Sequence, residues 1–258
     1  GSSMTAVQSS GSVRLTIEHQ TAWIQFEHPS GNACTSSMLD QLCAAFDSLA
    51  ERNDIGWAVL SSLGTTFCAG AHLEEVLALN NPQDAEKFFG GFARLILAMA
   101  RCNHPVLGKI QGKAVGGGVG ILAACDYVIA SEHTLIKLSE LSIGLAPAVI
   151  APAVARKIGA SGLAALALSP AHWHEITGLA CGPLTQRTTR EPEDLDKAID
   201  VFLKEQSAHA PSALKAIKNA LWEDTAHWEQ LLFERAKVTA ALALSPETQA
   251  ALEKYRSK

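Results

Sequence analysis

Short apolar strands alternate with amphipathic helical segments along the first 150 residues, and this alternation constrains the fold more than any other feature. Residues 13–19 and 22–26 each alternate apolar and polar side chains, which predicts two half-buried strands paired as a hairpin. Further strands are predicted at 55–61, 106–110, 127–130 and 135–138, and helices at 36–51, 84–102 and 119–124. Because strands separated by helices form right-handed crossovers, the pattern predicts an α/β fold with a mostly parallel sheet.

The last third of the chain differs, since from residue 151 onward the pattern is almost wholly helical and no strand is predicted. Only residues 177–189 are typical of a loop. The segments 195–206, 211–222 and 225–244 carry too many apolar positions for a free surface, so we expect them to pack on the core or on another subunit. The sequence therefore predicts a loose N-terminus with a tag remnant at 1–11, a core domain at 12–190 and a helical region at 191–258.

Composition excludes several classes of protein. Of the 258 residues 48% are hydrophobic and 18% charged, which is typical of a globular chain with one large core. The net charge is −5 and the basic residues are scattered, so a nucleic-acid face is not expected. No apolar stretch is long enough to cross a bilayer. Because no charged face is found, a small-molecule partner is expected. Six cysteines without a C-x-x-C pair, and no signal peptide, predict free thiols and a cytoplasmic location.

Two glycine-containing turns each follow a predicted strand and lead into a helix. They lie at residues 67–73 and 110–120, and the second includes Gly116, Gly117 and Gly118. Glycine lets the backbone approach a ligand closely, and N–H groups in such a turn stabilise negative charge. Tight packing of strand against helix explains either turn equally well when it is taken alone. The second turn is neither a P-loop, since Gly-Lys-Ser/Thr is missing, nor a dinucleotide fingerprint.

Together with the segment around Glu140, these turns resemble the crotonase (enoyl-CoA hydratase/isomerase) superfamily, and the resemblance covers nearly the whole chain. Residues 28–33 are similar to the family's early coenzyme A loop. Residues 67–71 resemble its first oxyanion segment. The other segments that carry the resemblance are 116–118, 124–126, 139–147, 158–159 and 251–255. Residues 144–150 further resemble bacterial methylglutaconyl-CoA hydratase-like members.

The resemblance implies repeated ββα units that build two roughly perpendicular sheets, followed by helices that mediate assembly into a homotrimer or homohexamer. It also implies a thioester carbonyl held between the N–H groups of Ala71 and Gly117, so that an enolate forms, with Glu140 as acid and base. Neither a metal nor a cofactor beyond the coenzyme A or phosphopantetheine of an acyl-CoA or acyl-carrier-protein substrate is expected. The implied coenzyme contacts are His28, Asn32, Ala33, Ala69 and Lys218.

The chain departs from the family pattern at two positions. Hydratases of the family carry two glutamates, and Gly120 occupies the place of the first, so only Glu140 remains. One carboxylate shuttles a proton between two carbons, which favours isomerisation over hydration unless another group substitutes. His72 stands where aspartate is common, and it is either an added acid/base or a residue that only hydrogen-bonds a neighbour. The alternatives are a decarboxylase, a carrier-protein-bound dehydratase or isomerase, and a degenerate binding subunit.

Four other features have a structural explanation as well as a functional one. His172 and His174 have zinc-like spacing but no further clustered ligand, so they are interpreted as part of a polar turn. Cys68 is interpreted as a small buried hydrophobe. Lys109 and Lys113, like Lys218, are candidates for the phosphate or adenine side of coenzyme A, with a solvated lysine as the alternative.

Overall fold

The computed structural model describes residues 10–256, so most of the segment predicted as a loose N-terminus lies outside the described residues. The strands are β1 (Ser12–Glu18), β2 (Thr21–Glu27), β3 (Trp57–Ser62), β4 (Val106–Ile110), β5 (Ala114–Val115), β6 (Tyr127–Ser131), β7 (Leu135–Lys137), β8 (His174–Glu175) and β9 (Arg187–Thr189). The helices are α1 (Ser36–Asp47), α2 (Leu73–Ala78), α3 (Pro82–Arg101), α4 (Gly117–Ala123), α5 (Ala151–Ala167), α6 (Leu195–Gln206), α7 (Pro211–Leu221), α8 (Trp228–Ala243) and α9 (Pro246–Arg256).

Two sheets organise the chain. The larger has the order β1-β2-β3-β4-β6-β9, and the smaller has the order β5-β7-β8. Strands β1 and β2 form the predicted antiparallel hairpin, and every other pairing in the larger sheet is parallel. Alternate residues of β3 face two different apolar clusters: Ala58 and Leu60 face the main core, whereas Trp57 and Val59 face α6 and α7. Helices therefore cover both faces, which explains why the central strands are apolar throughout.

The strands β8 and β9 correct the prediction that no strand follows residue 151. They contain only two and three residues, too few to show a period of two. Strand β9 lies inside the segment 177–189 that was predicted as a loop, and it pairs with β6 at the edge of the larger sheet. The predicted helical stretch after residue 151 is also interrupted, because α5 breaks at Gly159, where φ is +73°.

The C-terminal helices pack on the core of their own chain. Helix α8 lies against α3 and buries Trp228, Leu232 and Ala236. The part of the prediction that placed these helices on the core is thus confirmed, whereas assembly with another subunit stays a prediction. In the described range 10–256 no helix has both the length and the apolar character required to span a membrane.

Candidate active site

The two glycine turns meet in the folded chain. Gly70 has φ +95°, and a methyl group at this position would lie 2.7 Å from the carbonyl oxygen of Val115 and 3.3 Å from the nitrogen of Gly117. Only glycine combines this conformation with so close a contact. The turn 67–73 therefore packs directly against the turn 110–120, and the contacting residues Gly70 and Val115 are 45 positions apart in the sequence.

The backbone amides of Ala71 and Gly117 remain available at this junction. Cys34 donates its N–H to the carbonyl of Gly70 at 2.7 Å and accepts one from His72 at 2.9 Å, and this pairing leaves the N–H of Ala71 unused. Gly117 is the first residue of α4, so its N–H has no acceptor within the helix. Within residues 10–256, neither amide makes a hydrogen bond.

Ala71 and Gly117 both line a cavity of about 440 Å³. Its walls are mainly apolar and come from α2, α3 and the segment that precedes α5. Thr239 of α8 and Tyr255 of α9 also line it, so the C-terminal helices close a space formed by the core. The apolar wall residues include Leu73, Val76, Phe89, Phe92, Ile143, Leu145, Val149 and Ile150.

The carboxyl group of Glu140 lies in this cavity beside the second turn. Glu140 begins a short 3-10 helix, Glu140–Ile143, just after β7. A methyl group on Gly116 would lie 3.5 Å from its Oε2 atom, so the carboxyl lies directly beside this glycine. The Oε1 atom is buried and has no hydrogen-bond partner among the described residues. Burial raises the pKa of Glu140 to about 7, because the apolar surroundings disfavour the charged form.

The C-terminal helices hold the segment that carries Glu140. Thr248 of α9 is fully buried and donates its hydroxyl to the carbonyl of Gly144 at 2.8 Å. Thr239 donates to the carbonyl of Ala146 at 3.2 Å. The carbonyl of Glu140 itself accepts the N–H of Leu145 at 3.0 Å. These bonds fix the irregular stretch after β7, where the backbone has no sheet partner of its own.

The family model described as enoyl-CoA hydratase/isomerase matches residues 16–248 of the chain. The chain belongs to this family. The ethylmalonyl-CoA decarboxylase of Gallus gallus is 28% identical over 218 residues, which are 82% of this chain and 72% of that protein. The enoyl-CoA hydratase AKT6-1 of Alternaria alternata is 29% identical over 161 residues, 62% of this chain and 50% of that protein. This chain thus spans about half the length of the first curated relatives it matches.

Solved structures confirm the crotonase fold. An enoyl-CoA hydratase from Bacillus halodurans superposes with a TM-score of 0.85 at 20% identity, covering 94% of this chain and 99% of that one. An enoyl-CoA hydratase from Mycobacterium avium subsp. paratuberculosis gives 0.82 at 21% identity, covering 93% and 97%. At such identities the likeness concerns the fold alone. The narrower resemblance to methylglutaconyl-CoA hydratase-like members stays a prediction.

The loop expected to contact coenzyme A lies beside the first turn of the site. Ala69 lines the cavity, and its N–H donates to the carbonyl of Gly31 at 2.9 Å. The N–H of Ala33 donates to the carbonyl of Ser30 at 3.2 Å, which closes the loop. The buried imidazole of His28 accepts the N–H of Ser30 through Nδ1 at 2.9 Å. Coenzyme contacts by these residues stay predictions.

The side chain of Asn32, which was predicted to contact coenzyme A, has a structural role in the same loop. Its Oδ1 atom accepts the N–H of His28 at 2.8 Å, and its Nδ2 atom donates to the carbonyls of Leu63 and Thr66 at 2.6 and 2.8 Å. The side-chain amide is therefore occupied in joining two loops. A coenzyme contact by Asn32 stays a prediction.

The structure does not bring His72 to the cavity. Ala71 and Leu73 both line it, whereas His72 does not. Its ring instead packs edge-on against His28, with 4.6 Å between the ring centres. Because neighbouring residues of an extended segment point in opposite directions, the turn that exposes Ala71 to the cavity directs His72 away from it. The predicted acid/base role of His72 is not supported by this geometry.

The prediction that Lys218 contacts coenzyme A is wrong. Its side chain is 1% exposed, and its Nζ atom lies 2.6 Å from Oδ2 of Asp126 and 2.7 Å from the carbonyl of Met99. A buried ammonium group that donates to two acceptors of the core is not available to a ligand at the surface. Lys109 pairs with Asp196, and Lys113 lies 4.9 Å from the ring centre of Trp173.

The remaining predictions concern residues that were expected to have a structural role. His172 and His174 pack ring against ring, and the described part of the chain contains no group of three or more side chains that could hold a metal ion. Cys68 is fully buried, as expected for a small hydrophobe, and all six cysteines are free. Sequence reasoning missed Ile150, Thr239 and Tyr255 as cavity residues. Ile150 and Tyr255 lie in segments that resemble the family, but the resemblance gave neither a place in the site, and no local motif marks Thr239.

Proposed function

We propose that this family member binds an acyl thioester with its carbonyl oxygen between the N–H groups of Ala71 and Gly117. Support comes from the unused amides of these two residues, both of which line the same cavity at the junction of the glycine turns. Donors held in place before the reaction stabilise an enolate oxygen without reorganisation. Each such donor contributes about 3 to 4 kcal/mol to lowering the barrier in comparable sites.

Glu140 is the proton shuttle in this proposal, and the buried carboxyl with its unpartnered oxygen is the observation that carries it. As a carboxylate it takes a proton from carbon 2 of a 3-enoyl thioester, and the electron pair of that C–H bond moves into the carbonyl to form the enolate. The protonated Glu140 then returns the proton to carbon 4, and the double bond moves to carbons 2 and 3. A pKa near 7 suits both steps, since each form of the group is populated near neutral pH.

Isomerisation is favoured over hydration because a single carboxylate lines the described cavity. Addition of water requires one group to activate the water and another to deliver or accept a proton. Movement of a double bond within one acyl chain requires only one group that changes its protonation state.

Decarboxylation is the second candidate, favoured by the similarity to an ethylmalonyl-CoA decarboxylase over 82% of this chain. The bond between carbon 2 and a substrate carboxylate would break, carbon dioxide would leave, and the electron pair would form the same enolate. Protonated Glu140 would then deliver its proton to carbon 2. The mainly apolar cavity supports this candidate, since it disfavours the charged carboxylate in the ground state.

Three further properties belong to the proposal. A phosphopantetheine carrier would present the same thioester as coenzyme A, so it remains the alternative carrier. A homotrimer or homohexamer is supported by exposed apolar side chains on the C-terminal helices, such as Val201, Ile217 and Phe233. A cytoplasmic location is supported by the six free thiols. A degenerate binding subunit is disfavoured, because both glycine turns and Glu140 are present.

A panel of coenzyme A thioesters assayed in deuterated water tests the proposal. We expect 3-enoyl thioesters to isomerise with deuterium incorporation at carbon 2 or 4, and 2-enoyl thioesters to hydrate slowly. Release of carbon dioxide from a 2-carboxyacyl thioester, without isomerisation, would favour the second candidate. Fast hydration by the unmodified protein would contradict one-carboxylate chemistry. Sedimentation showing a stable, active monomer at micromolar concentration would contradict the assembly proposal.

A further inference from the structure

The wall of the cavity that Ile150 forms takes no part in the proposed proton transfers. Gly120 lies one turn after Gly117 on α4, so the two positions share a face of the helix. A methyl group on Gly120 would lie 2.3 Å from the Cγ2 atom of Ile150 and 2.6 Å from its Cβ atom. The side chain of Ile150 therefore fills the space into which any side chain at position 120 would extend.

Ile150 is held rigidly in this space. It directly precedes α5, and its carbonyl accepts the N–H of Val154 at 3.0 Å. The residue is only 3% exposed, and a β-branched side chain has few alternative rotamers in such surroundings. The 2.3 Å separation thus cannot be relieved by rotation of a flexible end, as it could for a long side chain.

The position of this wall relative to Glu140 gives it a consequence for the reaction. The carboxyl of Glu140 lies over Gly116, and Ile150 lies over Gly120, four residues further along, which is roughly 6 Å of helical rise. Gly117 lies between these two glycines in the chain, and Glu140 and Ile150 line the same cavity, so a thioester bound at the N–H of Gly117 would have both side chains as neighbours. A bound water needs two to four polar partners, and Ile150, with its neighbours Val149 and Leu145, offers only hydrocarbon.

We propose that Ile150 is a specificity-determining residue that denies water a place beside the acyl carbons, and so directs the site toward proton movement or loss of carbon dioxide rather than hydration. This inference rests on the proposed function, since it requires an acyl thioester in the cavity. Ile150 would then explain why hydration is disfavoured, which the single carboxyl of Glu140 does not explain alone.

The steric part is tested without any substrate, by thermal unfolding of a double-mutant cycle. Gly120→Ala is expected to lower Tm in the wild-type background, because the new methyl group meets Ile150. Combined with Ile150→Gly it is expected to raise Tm, because alanine is the better helix former once the space is open. Ile150→Val is the matched control, since valine keeps the Cβ atom and Gly120→Ala should still lower Tm. If Gly120→Ala lowers Tm in the Ile150→Gly background as well, the steric argument is overturned.

The functional part compares hydration of a 2-enoyl-CoA with isomerisation of a 3-enoyl-CoA. Ile150→Gly is expected to raise the ratio of hydration to isomerisation at least 10-fold, and Ile150→Val less than 3-fold. Gly120→Glu combined with Ile150→Gly should hydrate faster still, whereas Gly120→Glu alone should lower Tm and not hydrate.

The outcomes separate the inference from the function on which it rests. A wild type that isomerises or decarboxylates, with an Ile150→Gly variant that folds but leaves the ratio within 3-fold, overturns the role of Ile150 alone. A Gly120→Glu variant that hydrates fast with Ile150 in place does the same. A wild type that acts on none of the thioesters overturns the proposed function and the specificity role together, and the Tm cycle still reports on the packing.

Discussion

Asp126 and Glu140 both place carboxyl oxygens inside the protein, and their surroundings are opposite. The carboxyl of Asp126 accepts hydrogen bonds from Lys218 at 2.6 Å, from the indole of Trp222 at 2.6 Å and from the N–H of Val106 at 2.8 Å. The Oε1 atom of Glu140 accepts none from the described residues. The carboxyl of Asp126 thus joins α7 to the core, whereas that of Glu140 stays unpaired at the edge of a cavity.

This difference teaches how to separate a structural acid from a candidate catalytic one. A buried ion pair with further hydrogen bonds is strongly destabilised when one partner is removed. A buried carboxyl without partners costs folding energy instead, so its removal leaves the fold intact or strengthens it. The two sites should therefore respond in opposite ways to the same conservative change from acid to amide.

The largest expected effect is that of Glu140→Gln on turnover. The amide keeps the shape but cannot accept and return a proton, so kcat should fall by about 10²- to 10⁴-fold, the usual contribution of a general acid or base. Binding of a thioester, measured by calorimetry, should change little, and Tm should stay the same or rise. A variant that keeps more than a tenth of the wild-type kcat would remove Glu140 from the proposed mechanism.

The matching change at the structural acid, Asp126→Asn, should act on stability. Removal of the charge leaves the ammonium of Lys218 buried without its partner, and the free energy of unfolding should fall by about 3 to 5 kcal/mol. Urea denaturation measures this fall in the free energy of unfolding. Glu229→Gln is the control, because its ion pair with Arg101 is largely exposed and should contribute no more than about 1 kcal/mol. Equal losses of unfolding free energy in Asp126→Asn and Glu229→Gln would contradict the structural role of the Asp126 carboxyl.

The pH dependence of stability sharpens the comparison further. Burial raises the pKa of Glu140 from 4.5 to about 7, so the folded protein binds a proton more tightly than the unfolded chain does. Between pH 4.5 and about 7 this group therefore makes stability fall as pH rises, and its contribution is favourable only at the acidic end. The free energy of unfolding of wild type minus that of Glu140→Gln should decrease across this window by up to about 3 kcal/mol. A difference that rises or stays level would show that the carboxyl is solvated.

The smallest expected effect concerns the support of Glu140. Thr248→Val removes the hydroxyl that donates to Gly144 and should lower the free energy of unfolding by about 1 kcal/mol, the usual net contribution of one hydrogen bond. A reduction of kcat by a few-fold, with the pH profile unchanged, should accompany it. The exposed Thr177→Val is the control and should change neither quantity. A kcat equal to that of wild type would show that the segment keeps its position without this bond.

Most of the regular elements, and part of the site, were predictable from the sequence. The hairpin, the parallel strands and the helices follow from periodicity, because the burial of one face leaves a local pattern of apolar residues. The two glycine turns were also recognisable, since glycines at such positions are local signals, and Glu140 was recognised through the resemblance to the family. The short strands β8 and β9 were missed, because two or three residues carry no period.

The partners of individual side chains were decided only by the tertiary structure. Lys218 pairs with Asp126 across 92 residues, and nothing near Lys218 in the sequence distinguishes it from a solvated lysine. Likewise Gly120 shows that a carboxylate is absent, but only the fold shows Ile150 filling its place. Local sequence determines backbone conformation and which face of an element is apolar. Which distant side chain meets that face depends on how the elements pack, and packing is a property of the whole chain.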